Sequence, residues 1–561
     1  RELNARGIRK GDRVLLWGPN SAAWVSAFFA CANRGVIVVP IDDAGSPDFA
    51  LRVFSQVSAR LLVCSREHAQ LNPPIVLFEE LRDAVNRHSS APLEAEKVRA
   101  EDALEIVFTS GTTAEPKGVV ISHGNVLSNV APLEEQMMPY LKYERIVHPI
   151  RFLNLLPLSH VFGQFLGIYL PPILKGTVFF QNNLKPAEML ATIRRERISV
   201  LVSVPRVLQS LKSKIERDLE GAGRLGEFQR EFRGAEGRHF LRRWWIFRRT
   251  HRQFGWKFWA LICGGAALDR DTEEFWRRLG FAIIQGYGLT ETTSLISVNH
   301  PFKVGKGSIG KVLAGREVKL AADGEILVRG GGVASGYWSA GELRPVAAEE
   351  GWYRTGDIGE LDSEGNLFFK GRKKDVIVTP AGMNVYPEDL EAAVRAQPEV
   401  KDCAVVPLAV GGNAEACAVM ILKNEDCDAV AVVDSANRQL AAYQRIRQWM
   451  TWPDEDFPRT STQKPRRAEI AAVAQSMLAK DLTAAAPGSG LAELISRITG
   501  RTPQNFSNSA RLDSDLSLSS LDRVELMSAL EDRYQVDLGE SRFSALSTVG
   551  DLERLLKDGS P

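Results

Sequence analysis

Residues 13–41 hold three pieces in a fixed order: the apolar run RVLLWG, the segment SAAWVSAFFACANRG, and the apolar run VIVVPID. The first and third are short, β-branched and too apolar to face water on either side. The middle piece has helical spacing and ends in glycine. Strand, helix, strand at this length is a βαβ unit, and two strands joined through a helix run parallel with a right-handed crossover. That excludes all-β and all-α classes for this part of the chain. Similar apolar runs recur as ISVLVSVP (198–205), FWALICGG (258–265) and FAIIQGYG (281–288). From 323 to 372 the texture changes to short strands, with Asp323-Gly324 and Glu364-Gly365 at hairpin turns. A helix PEDLEAAVRAQ and strands VKDCAVVPLAV and EACAVMILK follow. The stretch 483–490, TAAAPGSG, has linker composition, and three helical segments fill 491–558. The expected architecture is therefore an α/β large domain over 1–372 (parallel sheets with packed helices plus a small β region), an α+β domain over 373–482, a linker at 483–490, and an all-α four-helix bundle over 491–558.

The chain of 561 residues exceeds one hydrophobic core and fits roughly three or four units at about 150 residues each. Its net charge of +1 argues against a general nucleic-acid binder. Six scattered cysteines without a CxxC pair imply neither a zinc site nor a disulfide framework, which favours a reducing cytoplasm. The longest apolar stretch, VFGQFLGIYLPPIL (161–174), falls short of the roughly 18 residues that span a bilayer. The opening RELNARGIRKGDRVLLWG reads as the middle of a fold, so a natural N-terminal part is expected to be missing, and a further domain is expected after 561.

FTSGTTAEPKG (108–118) places Thr109, Ser110, Gly111, Thr112 and Thr113 before Lys117. Small and hydroxyl-bearing residues let backbone N–H groups converge on phosphate oxygens, and a lysine adds charge. The spacing is not that of the P-loop, and by itself the stretch reads equally as a surface loop. Further along stand CGGA (263–266), QGYGLTETT (285–293), YRTGDIGELD (353–362), GRKKDVIVTPAGMNVYPEDLE (371–391) and PRTSTQKPRR (458–467).

In this order the motifs resemble the adenylate-forming (AMP-binding) superfamily, of fatty acyl-AMP ligase and long-chain acyl-CoA synthetase type, from residue 1 to about 480. The resemblance implies activation of a carboxylic acid with ATP and Mg²⁺ to an acyl adenylate, then displacement of AMP by a thiol. A carboxylate of pKa about 4 is already ionised at neutral pH, so positioning and charge neutralisation carry the first step. By this resemblance Thr109, Ser110, Gly111, Thr112, Thr113 and Lys117 hold the β- and γ-phosphates. Thr290 touches the α-phosphate and Glu291 holds Mg²⁺. Tyr287 stacks on adenine beside Gly264, Gly265, Ala266 and Gly288, Asp357 binds the ribose, and Arg372 lies next to it. Lys464 is the adenylation lysine, although the family's Gly-Lys is replaced by Gln463-Lys464-Pro465. Lys374 is the hinge, and rotation there brings the loop around Gly382 into the site to open a tunnel for the thiol.

The segment LPLSHVFGQFLGIYL (156–170) resembles the acyl-pocket segment of the fatty acid members, with His160 near the acyl site or, alternatively, capping an apolar helix. The run RHFLRRWWIFRRTHRQFGWK (238–257) interleaves seven Arg or Lys with six Trp or Phe and has no acid. It reads as peripheral membrane contact, as a docking face for a carrier, or as a solvated helix face; no nucleic-acid fold accompanies it. The tail DLSLSSLDRVELMSALEDRYQVDL (515–538) resembles an acyl carrier protein, with Ser520 as the attachment point for 4′-phosphopantetheine. The combined expectation is a fatty acid ligase that loads its own carrier domain, with a phosphopantetheinyl transferase as partner. Its location is cytoplasmic, peripheral at the inner membrane surface. CoA is the alternative acceptor, and a nucleotide-binding scaffold is the non-enzymatic alternative.

Overall fold

A computed structural model describes residues 1–70, 73–94, 96–109, 117–138, 149–266, 268–299, 307–339, 341–346, 349–378, 383–410, 413–424, 426–441 and 444–484. Beyond these it describes 491, 494, 495, 507–512, 516, 518, 523, 526, 527, 529, 530, 538, 543 and 546–558. The chain divides into two compact units, Arg1–Lys374 with Arg459–Lys464, and Asp375–Pro458 with Pro465–Pro561.

In the first unit, strands Arg13–Trp17 and Ile37–Ile41 pair in parallel across the helix Ala22–Asn33. Ser21 starts that helix by accepting from the Trp24 amide, and the chain leaves it through Gly35 at φ +61°. Trp24, Phe28 and Cys31 bury one side of the helix against Val14, Leu16 and Val38 of the strands. An eight-stranded sheet grows from this unit, parallel through its centre and antiparallel where Lys117–Ser122 joins Ala103–Thr109 and Gly336–Ser339. A second, eleven-stranded sheet carries five parallel strands (Thr177–Phe180, Arg151–Asn154, Val200–Ser203, Ala260–Gly264, Ala282–Tyr287), continued by short antiparallel strands up to Arg316–Leu320. Its hairpins turn at Gly324 (φ +80°) and Gly365 (φ +79°), the left-handed conformation that glycine adopts without strain.

The apolar run after His160 belongs to both hydrophobic cores. Val161 and Ile168 pack with the first sheet's core, whereas Phe165, Leu166 and Leu170 pack with the second's. A helix buried on two faces has no polar stripe. This explains a run with the composition of a membrane segment; among the described residues no helix is long and apolar enough to cross a membrane.

In the second unit, the long hairpin of Val400–Val410 and Asn413–Leu422 is extended in parallel by Gln448–Thr451 and covered by helix Pro387–Arg395. Arg467 joins this helix to the sheet, its guanidinium 2.8 Å from Glu391 and donating at 2.9 Å to the Val405 carbonyl. Toward the C-terminus, leucines 494, 512, 516, 526, 530 and 552 share an apolar cluster with Ile495, Phe543 and Val549, and Val549–Asp558 is a helix. The expected attachment serine, Ser520, lies outside the described residues, as do Ser110, Gly111, Thr112, Thr113 and Gly382.

Candidate active site

Parallel strands send their carboxyl ends to one edge, and the connecting loops there form the usual ligand crevice of an open α/β sheet. At this edge of the first unit, Gly264 and Gly286 are direct cross-strand partners. A Cβ on Gly264 would lie 2.3 Å from Cζ of Phe162, and one on Gly286 2.8 Å from Leu295. On Gly288 it would lie 2.1 Å from the Ser294 carbonyl oxygen, and Gly265 takes φ +81°. Close packing thus favours glycine at 264, 286 and 288, and the left-handed backbone favours it at 265.

The antiparallel strands Tyr353–Leu361 and Asn366–Arg372 set Asp357 opposite Arg372. Asp357 is only 2% exposed; the Tyr287 phenol donates to its Oδ2 at 2.8 Å, and Arg372 Nε lies 3.3 Å from its Oδ1. Burial and the Asp357 charge push the Tyr287 phenol well above its usual range. The loop Arg459–Lys464 is part of this same unit. It brings the Lys464 ammonium into the field of Asp357, Arg372 and Lys374. Burial, followed by repulsion from Arg372, lowers Lys464 to about 8 against the attraction of Asp357. Lys374 ends the unit in a single helical turn, Lys373–Asp375, whose Lys373 pairs with Asp323 at 2.6 Å and Glu325 at 3.0 Å.

Thr290–Thr292 is one tight turn closed by the Leu289 amide donating to Thr292 Oγ1 at 2.9 Å. The next two residues, Thr293 and Ser294, take φ of +51° and +88°, a strained conformation held by Asn129, whose side-chain amide donates to the Thr293 carbonyl at 2.6 Å. Within this turn the Glu291 Oε1 accepts from the Tyr337 hydroxyl at 3.1 Å, and Tyr353 in turn hydrogen-bonds Tyr337. Tyr337 pairs with Val119 across the sheet, and Lys117 pairs with Thr109 at the end of the adjoining hairpin. Of the residues expected to cradle phosphates, Thr109 and Lys117 therefore sit at paired strand ends in the sheet that also carries Tyr337, and 110–113 lie outside the described residues.

His160 occupies the N-cap position of the helix that follows it, but its side chain makes no capping bond there. Its Nε2 lies 3.1 Å from Asp42 Oδ2 and 3.3 Å from Ser461 Oγ. Burial alone would raise the Asp42 carboxyl, but His160 and Ser461 outweigh it and hold it down at about 2. So His160 faces the lysine loop, and Phe162, two residues on, is the ring that lies over Gly264.

The acid-free run 238–257 folds as two short helices, Phe240–Ile246 and Arg248–Phe254. Phe247, Phe254 and His251 are buried, whereas Leu241 (61%), Trp245 (64%) and Trp256 (67%) stand exposed. Arg248 lies 4.7 Å over the Trp245 ring and Lys257 5.4 Å over that of Trp256. Several contributors to the site carried no signal of their own in the sequence: Tyr337, Arg206, Asp42 and Ser461 act through partners far away in the chain. Asp42, Ser461 and Tyr353 fell inside quoted segments without being singled out there, and Tyr337 and Arg206 fell in none.

Three patterns cover the chain: "AMP-binding enzyme" matches residues 1–338, "AMP-binding enzyme C-terminal domain" residues 374–478, and "Phosphopantetheine attachment site" residues 489–556. The long-chain-fatty-acid–CoA ligase FadD15 of Mycobacterium bovis is 29% identical over 447 residues, covering 72% of this chain and 72% of the relative. The feruloyl-CoA synthase of an Amycolatopsis species is 28% identical over 421 residues, 72% of this chain and 77% of the relative. Among solved structures, the o-succinylbenzoate CoA synthetase of Bacillus subtilis with its acyl-adenylate intermediate superposes with a TM-score of 0.66 at 24% identity, over 84% of this chain and 90% of that one. That likeness establishes a shared mixed α/β fold.

Proposed function

We propose a function from one premise: this chain belongs to the AMP-binding enzyme family. It is an acid–thiol ligase that joins a fatty acid to ATP as an acyl adenylate with release of pyrophosphate, then passes the acyl group to a phosphopantetheine thiol with release of AMP. The observation that carries this reading is the Lys464 loop. A lysine distant in sequence from Asp357 and Arg372 stands in their field, at the edge where parallel strands end.

In the first step a carboxylate oxygen attacks the α-phosphorus and the bond to pyrophosphate breaks. Both partners are anionic, so cations must offset their repulsion. Lys464 is the residue we assign to bridge them, with Thr290 at the α-phosphate and Thr109 and Lys117, together with 110–113, on the outer phosphates. Tyr287, Gly264, Gly265, Ala266 and Gly288 would frame the adenine, with Asp357 and Arg372 at the ribose. Among the described residues no cluster of three ligands could hold a metal. A single carboxylate fixed by Tyr337 suits Mg²⁺, which takes one or two carboxylates and completes its shell with substrate phosphates. There Glu291 would hold the ion, whose charge would offset that of the phosphates.

In the second step the thiol sulfur attacks the acyl carbonyl carbon and AMP leaves with the bonding electrons. We assign the acceptor to the chain's own carrier region, 491–558, loaded at Ser520 by a phosphopantetheinyl transferase. Support comes from the attachment-site pattern over 489–556. Lys374 would be the hinge that exchanges the two half-reactions, and Gly382 would line the thiol's path. The fatty acid assignment draws on the largely apolar segment 156–170 around His160 and on the ligase relative. The exposed aromatic and cationic face of 240–257 fits an anionic bilayer surface that holds such substrates.

Intact-protein mass spectrometry tests the whole reading. The phosphopantetheinylated chain is given Mg-ATP and a panel of fatty and aryl acids, with or without CoA. An acyl mass gained by the wild type and not by Ser520→Ala establishes loading in cis and names the acid. Acyl-CoA formed with the protein mass unchanged would make CoA the acceptor, and absence of pyrophosphate release with every acid would overturn the ligase reading itself.

A further inference from the structure

Gln463 is a non-glycine residue at φ +63°, immediately before the lysine assigned to adenylation. Such a conformation is strained for a non-glycine residue and persists only where its surroundings impose it. Here they do. The Gln463 amide donates to the Thr460 carbonyl at 2.8 Å, and its own carbonyl accepts from Arg459 at 3.1 Å. Its side-chain Oε1 accepts from Arg206 Nη1 at 3.3 Å. Arg206 is the second residue of helix Pro205–Gly221, which follows directly on the site strand Val200–Ser203. On the other side of the turn, Ser461 meets His160 and Asp42. Thr460 closes the loop on Lys464 itself, accepting from the Lys464 amide at 3.2 Å and donating to its carbonyl at 2.9 Å. A loop of six residues that ends on the lysine is thus tied to other elements of its unit at two points.

Glycine would adopt this φ freely, so strain alone gives no reason for glutamine. What glutamine adds is an acceptor that reaches Arg206. We propose that Gln463 acting through Arg206, and Ser461 acting through Asp42 and His160, are positioning residues that hold Lys464 in place for adenylation. This rests on the adenylation reading above and extends it to residues outside the substrate site. A hydrogen bond to a guanidinium is strong enough to matter, and its loss should appear in the step that uses Lys464 and nowhere else.

The test uses the full chain with Gln463→Gly, Arg206→Met, the pair combined, and Ser461→Ala. Gln463→Gly removes the anchor and relieves the strain, so stability and activity should separate. Its Tm should equal or exceed that of the wild type, while ATP–pyrophosphate exchange falls by roughly ten- to a hundredfold. Thioester formation from a supplied acyl adenylate and pantetheine should stay at the wild-type rate. The double variant should be no slower than Gln463→Gly alone, because both remove the same contact. The alkaline limb of kcat/KM for exchange should also move to higher pH as a loosened Lys464 regains water. Wild-type exchange by Gln463→Gly, or equal loss in both half-reactions together with a lower Tm, would overturn the proposal. Absence of exchange in the wild type would be a different result, and would remove the adenylation reading together with this one.

Discussion

Replacing Lys464 by methionine should make the protein more stable and inactive at once, and pH separates the two effects. The side chain's ordinary value of 10.5 is lowered to about 8 by burial and by Arg372. A gap of about 2.5 units corresponds to at most about 3 kcal/mol of cost for holding the charged form in the folded protein. Below pH 8 both folded and unfolded chains bind the proton, so the folded state bears the whole cost. Between pH 8 and 10.5 only the unfolded chain still binds it, so stability climbs with pH. Above 10.5 neither binds it and the cost is gone. Methionine has similar length and no charge, so Lys464→Met should unfold at a higher temperature than the wild type at pH 7. The gap should close steadily toward pH 10.5 in scanning calorimetry. Pyrophosphate exchange should fall by roughly a hundred- to a thousandfold, the scale of losing a preorganised charge at a reacting oxyanion. A Tm difference that does not vary with pH, or a methionine variant less stable at pH 7, would refute this account of the Lys464 environment.

Three shorter expectations test other parts of the site. Gly288→Ala should destabilise the first unit by about 1–3 kcal/mol, because its Cβ meets backbone 2.1 Å away; a calorimetric scan with unchanged Tm would contradict this. Tyr337→Phe removes the hydroxyl on Glu291 and should weaken apparent Mg²⁺ affinity by about tenfold or more in exchange assays titrated with the metal, with overall fold intact by circular dichroism. Trp244→Glu with Trp245→Glu should abolish co-sedimentation with phosphatidylglycerol vesicles at low salt while exchange on a soluble short-chain acid continues; undiminished sedimentation would remove the bilayer assignment.

Much of the fold could be read from the sequence wherever one local rule decided the outcome. The βαβ unit at 13–41 and the turns at Gly324 and Gly365 needed only apolar spacing and a glycine able to take positive φ. The run 161–174 showed only that it was apolar. That it divides its residues between two cores, with a widened π turn at Phe165–Tyr169, depends on sheets whose strands lie far away in sequence. In 238–257 the interleaving was visible, but which rings are buried (Phe247, Phe254) and which exposed (Trp244, Trp245) follows from packing against the second core. The site motifs were visible because each is contiguous. The ties Tyr337–Glu291, Arg206–Gln463 and Asp42–His160–Ser461 were not, since each joins ordinary polar residues from remote segments and leaves no local pattern.

The charge balance around Lys464 leads to one more expectation. Three cationic side chains, Lys464, Arg372 and Lys374, act around the buried carboxylate of Asp357. Burial is the first cause that lowers Lys464, and the repulsion that adds to it is a property of the protein without its anion. A triphosphate brought to this edge would supply the missing negative charge and raise the lysine back toward its ordinary value, since an opposite charge within a few ångströms favours the charged form. The pH dependence of kcat/KM reports the free enzyme and that of kcat the bound complex. The alkaline limb of kcat/KM for exchange should therefore fall near pH 8, and that of kcat well above it. By the same linkage ATP should raise Tm. Coincident limbs near pH 8 would mean that the nucleotide's charge does not reach Lys464, and the lysine would then have to act somewhere other than at the phosphates.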